Sequence, residues 1–449
     1  MKSLSWLWLL LSWPACSLSL YTHWPETGWQ DLFQLSQAQH QQLATQLRLS
    51  DAAAQDWLSE LQHVLQTAPC QPEAASLELP LQPERTRLTN LQGLLHIEKG
   101  ESQSWWYLPW FLLDQAPNPH QAVAAPLKHA AGLLFAEHAA GVYALRLDQD
   151  QLQPLWQSAG PDLRLLAASP HGLWLARQHI LLRLNPETGQ SLGEQSFAQP
   201  LVWAEHSSSG LLLASADQKI WLLDDSPTQL AQAELLASLS QLGAFRLQQL
   251  QLIEALVPLQ PAAGMHWRRP QQLLLLSAEK DGGALLLMLR LNPQHAEAPL
   301  LLHQQQEQLG QSAAFQQLLD ADGWYAEFAE PLYGRFILAA GVWYQQLRLD
   351  NGPSCSGQTV TSALLALHLH YGTAVYSNRR LNMDHGAREL KVRLSETGFS
   401  LQDASSGLVL LPELLEIKAH CAECASPLLR DHFPRQKLLA VYQTEQGGQ

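Results

Sequence analysis

The chain has 449 residues and a formal net charge of −14, and only 15% of its residues are charged. An acidic surface repels the phosphate backbone, so nucleic acid is not an expected partner. The length is sufficient for one large repeat domain together with a smaller unit.

The first residues have the pattern of a secretory signal peptide. The run from Leu4 to Trp13 is apolar, but at about ten residues it is too short to span a bilayer. Ala15 and Ser17 then have the small-residue spacing of a cleavage site. We therefore predict a signal peptide over residues 1–17 and export of the remainder, with lipidation of Cys16 as the alternative. No later segment is apolar over the roughly 18 residues that a membrane-spanning helix needs, so no transmembrane segment is predicted.

Four cysteines follow the predicted signal peptide: Cys70, Cys355, Cys421 and Cys424. An even number in an oxidising compartment predicts two disulfides, for which three connectivities exist. We expect Cys421 to pair with Cys424, and Cys70 with Cys355. The Cys-Ala-Glu-Cys spacing leaves a redox-active pair as an alternative, although such pairs usually open a helix after a strand.

Residues 18–68 have helical periodicity. Apolar residues recur at helix-like spacing between Gln30 and Leu47, and Ser50-Asp51 is a helix-start signal for a second helix from Ala52 to Gln66. This predicts a short antiparallel helix pair whose apolar stripe serves packing. The Pro-rich residues 69–88 then read as a linker.

From residue 89 to residue 449 the pattern changes to short apolar runs separated by Gly, Asp, Asn and Pro. Each repeat has an apolar strand, a tight polar turn and a second strand with bulky residues, which predicts a β-hairpin. The first copies begin at Gly132, Gly172 and Gly210, a spacing of about 40 residues that suits a four-stranded propeller blade. The predicted fold class is therefore mainly β, a β-propeller of about seven blades with quinoprotein-like repeats and a small N-terminal helical unit. Other all-β repeat folds remain the alternative.

Tryptophans lie inside or beside these hairpins, and we expect them to fill the wedges between blades rather than to form a ligand cage. They are Trp156, Trp174, Trp203, Trp221, Trp267, Trp324 and Trp343.

Several segments between residues 130 and 375 resemble, in the same order, the C-terminal propeller region of the PilC/PilY proteins of type IV pili. The matching segments are Ala216–Asp224, Gly323–Phe328, Pro331, Gly334–Phe336, Pro353–Gly357, Ala363–His368 and Tyr371-Gly372. The resemblance implies a role in type IV pilus biogenesis or pilus-tip adhesion, with minor pilins or other pilus components as protein partners. It also implies a location in the periplasm, at the outer-membrane surface or at the pilus tip.

The chain departs from that family at the calcium loop. Its nearest fragments, Asp148-Gln-Asp150 and Asp320-Ala-Asp322-Gly323, have too few oxygen donors for a cation that takes six to eight. We therefore do not predict the calcium site of that family for this chain, and we expect these aspartates to cap turns. No cofactor is predicted.

No catalytic, cofactor-binding or metal residue stands out, so we predict a protein that is not an enzyme. His368 and His370 alternate on a predicted strand and could chelate a metal with His385, although ordinary half-buried histidines are favoured. Two functions remain as alternatives to the pilus role. One is a periplasmic scaffold for outer-membrane proteins that adds partner strands to an exposed edge. The other, less favoured, is a quinoprotein dehydrogenase.

Overall fold

The structure of the chain is a computed structural model. The structure describes residues 21–23, 37–47, 49–67, 76–79, 86–91, 94–99, 102–107, 125–138, 141–148, 151–160, 162–207, 209–225, 232–258, 268–305, 317, 320–339, 341–349, 361–376, 378–383, 390–395, 398–403 and 409–411. The predicted signal peptide, Cys16 and all four later cysteines lie outside these residues, as do Trp267 and His385.

Two helices, α1 (Gln37–Leu47) and α2 (Asp51–Thr67), form near the N-terminus. Ser50 caps α2, because its Oγ accepts the amide N–H of Ala53 at 3.3 Å. Trp57 and Leu58 of α2 are buried, as expected for a packing stripe.

Two segments differ from the sequence prediction. Strand β1 (Tyr21–His23) falls in the stretch predicted as helical, because its backbone pairs with a later strand. Strand β2 (Ser76–Leu79) and the start of β3 fall in the predicted linker 69–88, where they pair with each other. Pairing across a sheet outweighed the local Pro-rich composition in this segment.

The chain divides into two compact units, residues 1–197 and 198–449. In the first unit the described strands form three sheets. Sheet 1 has β2, β3 (Thr86–Leu91), β4 (Leu94–Lys99) and β5 (Ser102–Tyr107). Sheet 2 has β1 with β6 (Leu127–Ala130), β7 (Leu133–His138), β8 (Gly141–Asp148) and β9 (Gln151–Ala159). Sheet 3 has β10 (Leu163–Ser169), β11 (Gly172–Arg177), β12 (Ile180–Leu184) and β13 (Ser191–Ser196).

In the second unit the described strands form four sheets. Sheet 4 has β14 (Leu201–Ser207), β15 (Gly210–Ser215), β16 (Lys219–Leu223) and β17 (Glu234–Ser238). Sheet 5 has β18 (Arg246–Pro258), β19 (Arg268–Lys280), β20 (Gly283–Arg290), β21 (Leu301–His303) and β22 (Gly323–Phe328). Sheet 6 has β23 (Leu332–Ala339), β24 (Val342–Arg348), β25 (Ser362–His368) and β26 (Arg380–Asn382). Sheet 7 has β27 (Leu390–Ser395), β28 (Gly398–Asp403) and β29 (Val409–Leu411).

Within most sheets the strands follow one another in chain order and pair antiparallel. Such consecutive four-stranded meanders are the blades of a β-propeller. The predicted fold class, mainly β and of the propeller type, is confirmed. None of the helices in the described ranges is both long enough and apolar enough to cross a membrane.

The apolar runs are continuous because the inner strands of a sheet are covered on both faces. In β19, Leu273 and Leu275 join the core shared with sheet 6, whereas Leu274 and Leu276 join the core shared with sheet 4. All four leucines are fully buried. Successive side chains of β19 therefore alternate between the two faces of the sheet, although the sequence shows an unbroken run of leucine.

Serine and glycine set the tight turns that join the first two strands of a sheet. Ser169 Oγ accepts the amide N–H groups of His171 and Gly172, both at 3.1 Å. Ser207 Oγ donates to the Gly210 carbonyl at 2.9 Å in the following sheet. These local hydrogen bonds close the turn before the second strand begins.

Candidate functional site

Asp322 is the predicted turn aspartate that the structure describes best. Its Oδ2 accepts the amide N–H of Leu300 at 2.7 Å, and both of its oxygens lie 2.9 Å from Nδ1 of His295. The carboxylate is buried and therefore fastens the loop between β20 and β21 to the start of β22. Asp148 ends β8 opposite Gln151, and Asp150 lies outside the described residues. Among the described residues, no group of three or more His, Cys, Asp or Glu could hold a metal.

Replacing Asp322 by alanine tests this bracing role. We expect the free energy of unfolding to fall by about 1–3 kcal/mol, because the Leu300 amide loses its acceptor. Asp224→Ala, at an exposed carboxylate of the same unit, is the control and should change stability by less than about 0.5 kcal/mol. Urea titration of both variants makes the comparison, and equal losses would contradict the assignment.

The structure places only one of the paired histidines on a strand. His368 ends β25, whereas His370 lies in the turn that follows. Their ring centroids are 6.0 Å apart, and the His370 amide N–H donates to Nδ1 of His368 at 3.3 Å. His368 also stacks on Tyr371 at 4.4 Å, and burial lowers its pKa to about 4. The predicted alternation on one strand is therefore wrong at His370, because the chain turns after His368.

Four of the predicted interior tryptophans are fully buried, namely Trp156, Trp174, Trp324 and Trp343. Trp203 and Trp221 are half-buried. Trp156, Trp324 and Trp343 belong to hydrophobic cores shared by two sheets, so packing between sheets is confirmed for these three. The contact of Trp174 is with Arg183 of its own sheet.

Two of these tryptophans join neighbouring sheets in the same way. Trp156 of β9 donates from Nε1 to the Pro186 carbonyl of sheet 3 at 3.0 Å. A Cβ built on Gly189 of that turn would lie 2.7 Å from the Trp156 ring. We call this pairing of an indole with a turn carbonyl and a turn glycine an indole–glycine contact.

The second indole–glycine contact joins sheet 5 to sheet 6. Trp324 of β22 donates from Nε1 to the Leu369 carbonyl at 2.9 Å. A Cβ on Gly372 would again lie 2.7 Å from the indole. Because each contact satisfies a buried N–H and packs a ring face on a turn, it fixes one sheet against the next.

The contribution of the indole hydrogen bond can be separated from that of ring volume. Trp343 lies in the same core as Trp324, and its indole N–H is buried with no partner among the described residues. We expect Trp324→Phe to lower the free energy of unfolding by about 1–2 kcal/mol more than Trp343→Phe, because it also removes the donor to the Leu369 carbonyl. Guanidinium denaturation of both variants measures the difference, and equal losses would show that only packing matters.

Polar side chains make further links between sheets. Glu137 of β7 accepts the amide N–H of Leu165 in β10 at 2.5 Å. Burial raises the pKa of Glu137, while that hydrogen bond and the charge of Arg164 act in the opposite direction. The side-chain amide of Gln249 makes two hydrogen bonds to the backbone of Phe336. Its Oε1 accepts the Phe336 N–H at 2.8 Å, and its Nε2 donates to the Phe336 carbonyl at 3.5 Å. These groups connect neighbouring sheets within each unit.

Two sheets carry a fifth strand at their outer edge. In sheet 2, β1 adds antiparallel to β9, and in sheet 5, β21 adds parallel to β22. In sheet 3 the outer strand is β13, whose residues are all exposed or half-buried. The outer strands are therefore the candidate interaction surface of the described residues.

A sequence signal for the ends of four strands was missed. The tetrapeptide Leu-Arg-Leu-Asp/Asn occurs at 145–148, 182–185, 289–292 and 347–350, where β8, β12, β20 and β24 end. The side chain of Asn185 accepts the amide N–H groups of Glu187 and Thr188, so the last residue of the motif starts a turn.

The topology and these inter-sheet contacts define a protein of the β-propeller class. No family model and no curated protein matches the chain. It is similar to the solved structure of BamB from Moraxella catarrhalis, with 10% identity over 74% of this chain and 81% of that one, at a TM-score of 0.34. Sqt1 from Saccharomyces cerevisiae is 11% identical over 75% and 83%, at a TM-score of 0.37. The dihydro-heme d1 dehydrogenase NirN is 14% identical over 82% and 74%, at a TM-score of 0.38.

Proposed function

We propose that this chain is a non-enzymatic protein of the bacterial cell envelope that acts in type IV pilus biogenesis or pilus-tip adhesion by binding pilus proteins. The proposal rests on the ordered resemblance to the PilC/PilY propeller. Its best segment begins with Gly323–Phe328, which is β22, and continues through Gly334–Phe336 in β23 and Ala363–His368 in β25. Segments that match in order thus fall on strands of two adjacent sheets.

The use of polar groups in the framework supports binding rather than chemistry. Asp322 and Glu137 accept backbone N–H groups, and the Gln249 amide is engaged by Phe336. A rigid framework of this kind presents its loops and outer strands to a protein partner.

Deleting the gene tests the pilus role. We expect fewer surface pili, weaker adhesion or reduced twitching, each restored by the wild-type gene supplied in trans. Normal piliation and motility in the deletion strain would refute this role.

The fifth strands of sheets 2 and 5 favour a second candidate, a periplasmic scaffold for outer-membrane protein assembly that adds partner strands to its blades. Cross-linking in intact cells followed by affinity purification separates the two. Pilins among the captured proteins would support the pilus role, and barrel-assembly proteins would support the scaffold.

A further inference from the structure

We infer that the outer edge of β13 (Ser191–Ser196) is a strand-addition site for an extended, basic segment of a partner protein. The inference deepens the proposed protein-binding function by naming its surface and the chemistry of its partner. It rests on the geometry of sheet 3 and on the strands added to the edges of sheets 2 and 5.

The register of β13 shows which backbone groups face outward. The Phe197 amide N–H donates to the His179 carbonyl at 2.8 Å, so these two residues form a hydrogen-bonded pair. Hydrogen-bonded and non-hydrogen-bonded pairs alternate along antiparallel strands. Gln195 opposite Leu181 is therefore bonded to β12, whereas Glu194 and Ser196 direct their N–H and C=O groups away from the sheet.

The outward groups of β13 are accessible. Leu192 is 46% exposed, and Glu194 and Ser196 are exposed as well. The strand contains neither Pro nor Lys, two residues that commonly protect sheet edges. By contrast, β17, the outer strand of sheet 4, already has a backbone partner at its end, because the Ser238 amide N–H donates to the Ala296 carbonyl at 2.7 Å.

The same chain shows that blade edges of this type accept a further strand. β1 adds antiparallel to β9, and β21 adds parallel to β22. Edge addition in both directions within one chain indicates that strand spacing and twist at the blade rim permit it.

The negative charge along β13 favours a basic partner strand. Glu194 lies at the outward-facing position of the strand and Glu187 is exposed in the turn before it, so the edge is acidic. A partner strand with Lys or Arg opposite Glu194 would gain a cross-strand ion pair. A second copy paired antiparallel about Glu194 would instead bring the two Glu194 carboxylates together, which is unfavourable.

The test uses the full chain and a synthetic extended peptide of alternating Val and Lys, with a Val and Glu peptide as its counterpart. Binding is measured by fluorescence anisotropy and located by hydrogen exchange. We expect the lysine peptide alone to bind, and the amide N–H groups of Glu194 and Ser196 to exchange more slowly in its presence.

Two variants probe the edge without disturbing the pairing of β13 with β12. Ser196→Pro removes an outward N–H and should weaken peptide binding about tenfold, because backbone hydrogen bonds to the added strand are lost. Glu194→Lys should reverse the preference between the two peptides. Asp162→Lys, at an exposed carboxylate beside β10 on the opposite edge of the sheet, is the control and should leave that preference unchanged. Melting temperature confirms that each variant is folded.

Peptide binding that protects other strands, or that survives Ser196→Pro, would overturn the inference. So would a concentration-dependent dimer that Ser196→Pro abolishes, because the occupant would then be a second copy. If the Ser196→Pro variant still captures pilus proteins from cells, the proposed function is supported, but those proteins do not bind at β13.

Discussion

Gly372→Ala is expected to lower the free energy of unfolding of the second unit by about 3 kcal/mol or more. Two costs combine at this position. The backbone φ of Gly372 is +65°, a conformation that a residue with a Cβ adopts only with strain. The new methyl group would also lie 2.7 Å from Cδ2 and Cε3 of Trp324, which is fully buried and bonded to the Leu369 carbonyl.

Gly341→Ala separates these costs. Gly341 lies in a turn of the same sheet with a φ of +77°, but a Cβ there would meet nothing within 4 Å. It should therefore incur only the backbone cost of about 1 kcal/mol. Chemical denaturation, followed by tryptophan fluorescence, gives the free energy for both variants. If the two alanines cost the same, the Trp324 contact adds nothing to the stability of the unit.

The first unit offers the same comparison. Gly189 has a φ of +70° and faces the Trp156 ring at 2.7 Å, whereas Gly132 has a φ of +76° and open space around it. We expect the larger loss at Gly189 for the same physical reasons. If the glycine that faces an indole gives the larger loss of stability in both units, the indole–glycine contact stabilises both units in the same way.

The hairpins could be predicted from sequence because their determinants are local. A run such as Gly172–Arg177 carries its strand propensity and its turn residues within a few positions, so the strand and its partner were both recognised. The blade grouping followed from the spacing of such runs. The structure confirms this level of organisation.

The contacts between sheets could not be predicted in the same way. Trp156 and Gly189 belong to different sheets, and no local pattern pairs an indole with one turn rather than another. The pairing of β1 with β9 has the same character, because its partner lies far along the chain. The sequence predicts that Asp322 caps a turn, but its carboxylate instead accepts the distant Leu300 amide, a contact that depends on the chain returning to sheet 5.

Strand β21 shows how an insertion hides a regular pattern. It pairs parallel with β22, so the connection between them must cross over rather than turn tightly. Sheet 5 consequently departs from simple chain order, and its repeat spacing is irregular in the sequence. The Leu-Arg-Leu-Asn motif at 289–292 still marks the end of its third strand, β20.

Acid is expected to destabilise the first unit through His138. The imidazole is only 2% exposed and makes an edge-to-face contact with Tyr143 at 5.8 Å. Burial lowers its pKa from 6.5 to about 3. As the pH falls through 6.5, the unfolded chain therefore takes up a proton that the folded chain does not bind, and stability falls until the pH reaches about 3.

The size of the effect follows from the pKa shift. Each unit of difference between the two states is worth about 1.4 kcal/mol, so the limit for His138 is roughly 5 kcal/mol between pH 6.5 and pH 3. Protonation of Glu137, whose pKa burial raises, opposes part of this loss at the acidic end. His368 of the second unit, with a pKa lowered to about 4, adds a slope of the same sign to unfolding of that unit.

His138→Gln removes the titrating group and should flatten the dependence of stability on pH between 6 and 4 in the first unit. His179→Gln, which changes an exposed imidazole of the same unit, is the matched control and should keep the wild-type slope. Urea denaturation at a series of pH values measures both slopes. A His138→Gln variant that loses stability with acid as steeply as the wild type would mean that His138 is protonated in the folded chain. The cluster formed with Tyr143 would then have to accommodate a charge, which the burial of both rings opposes.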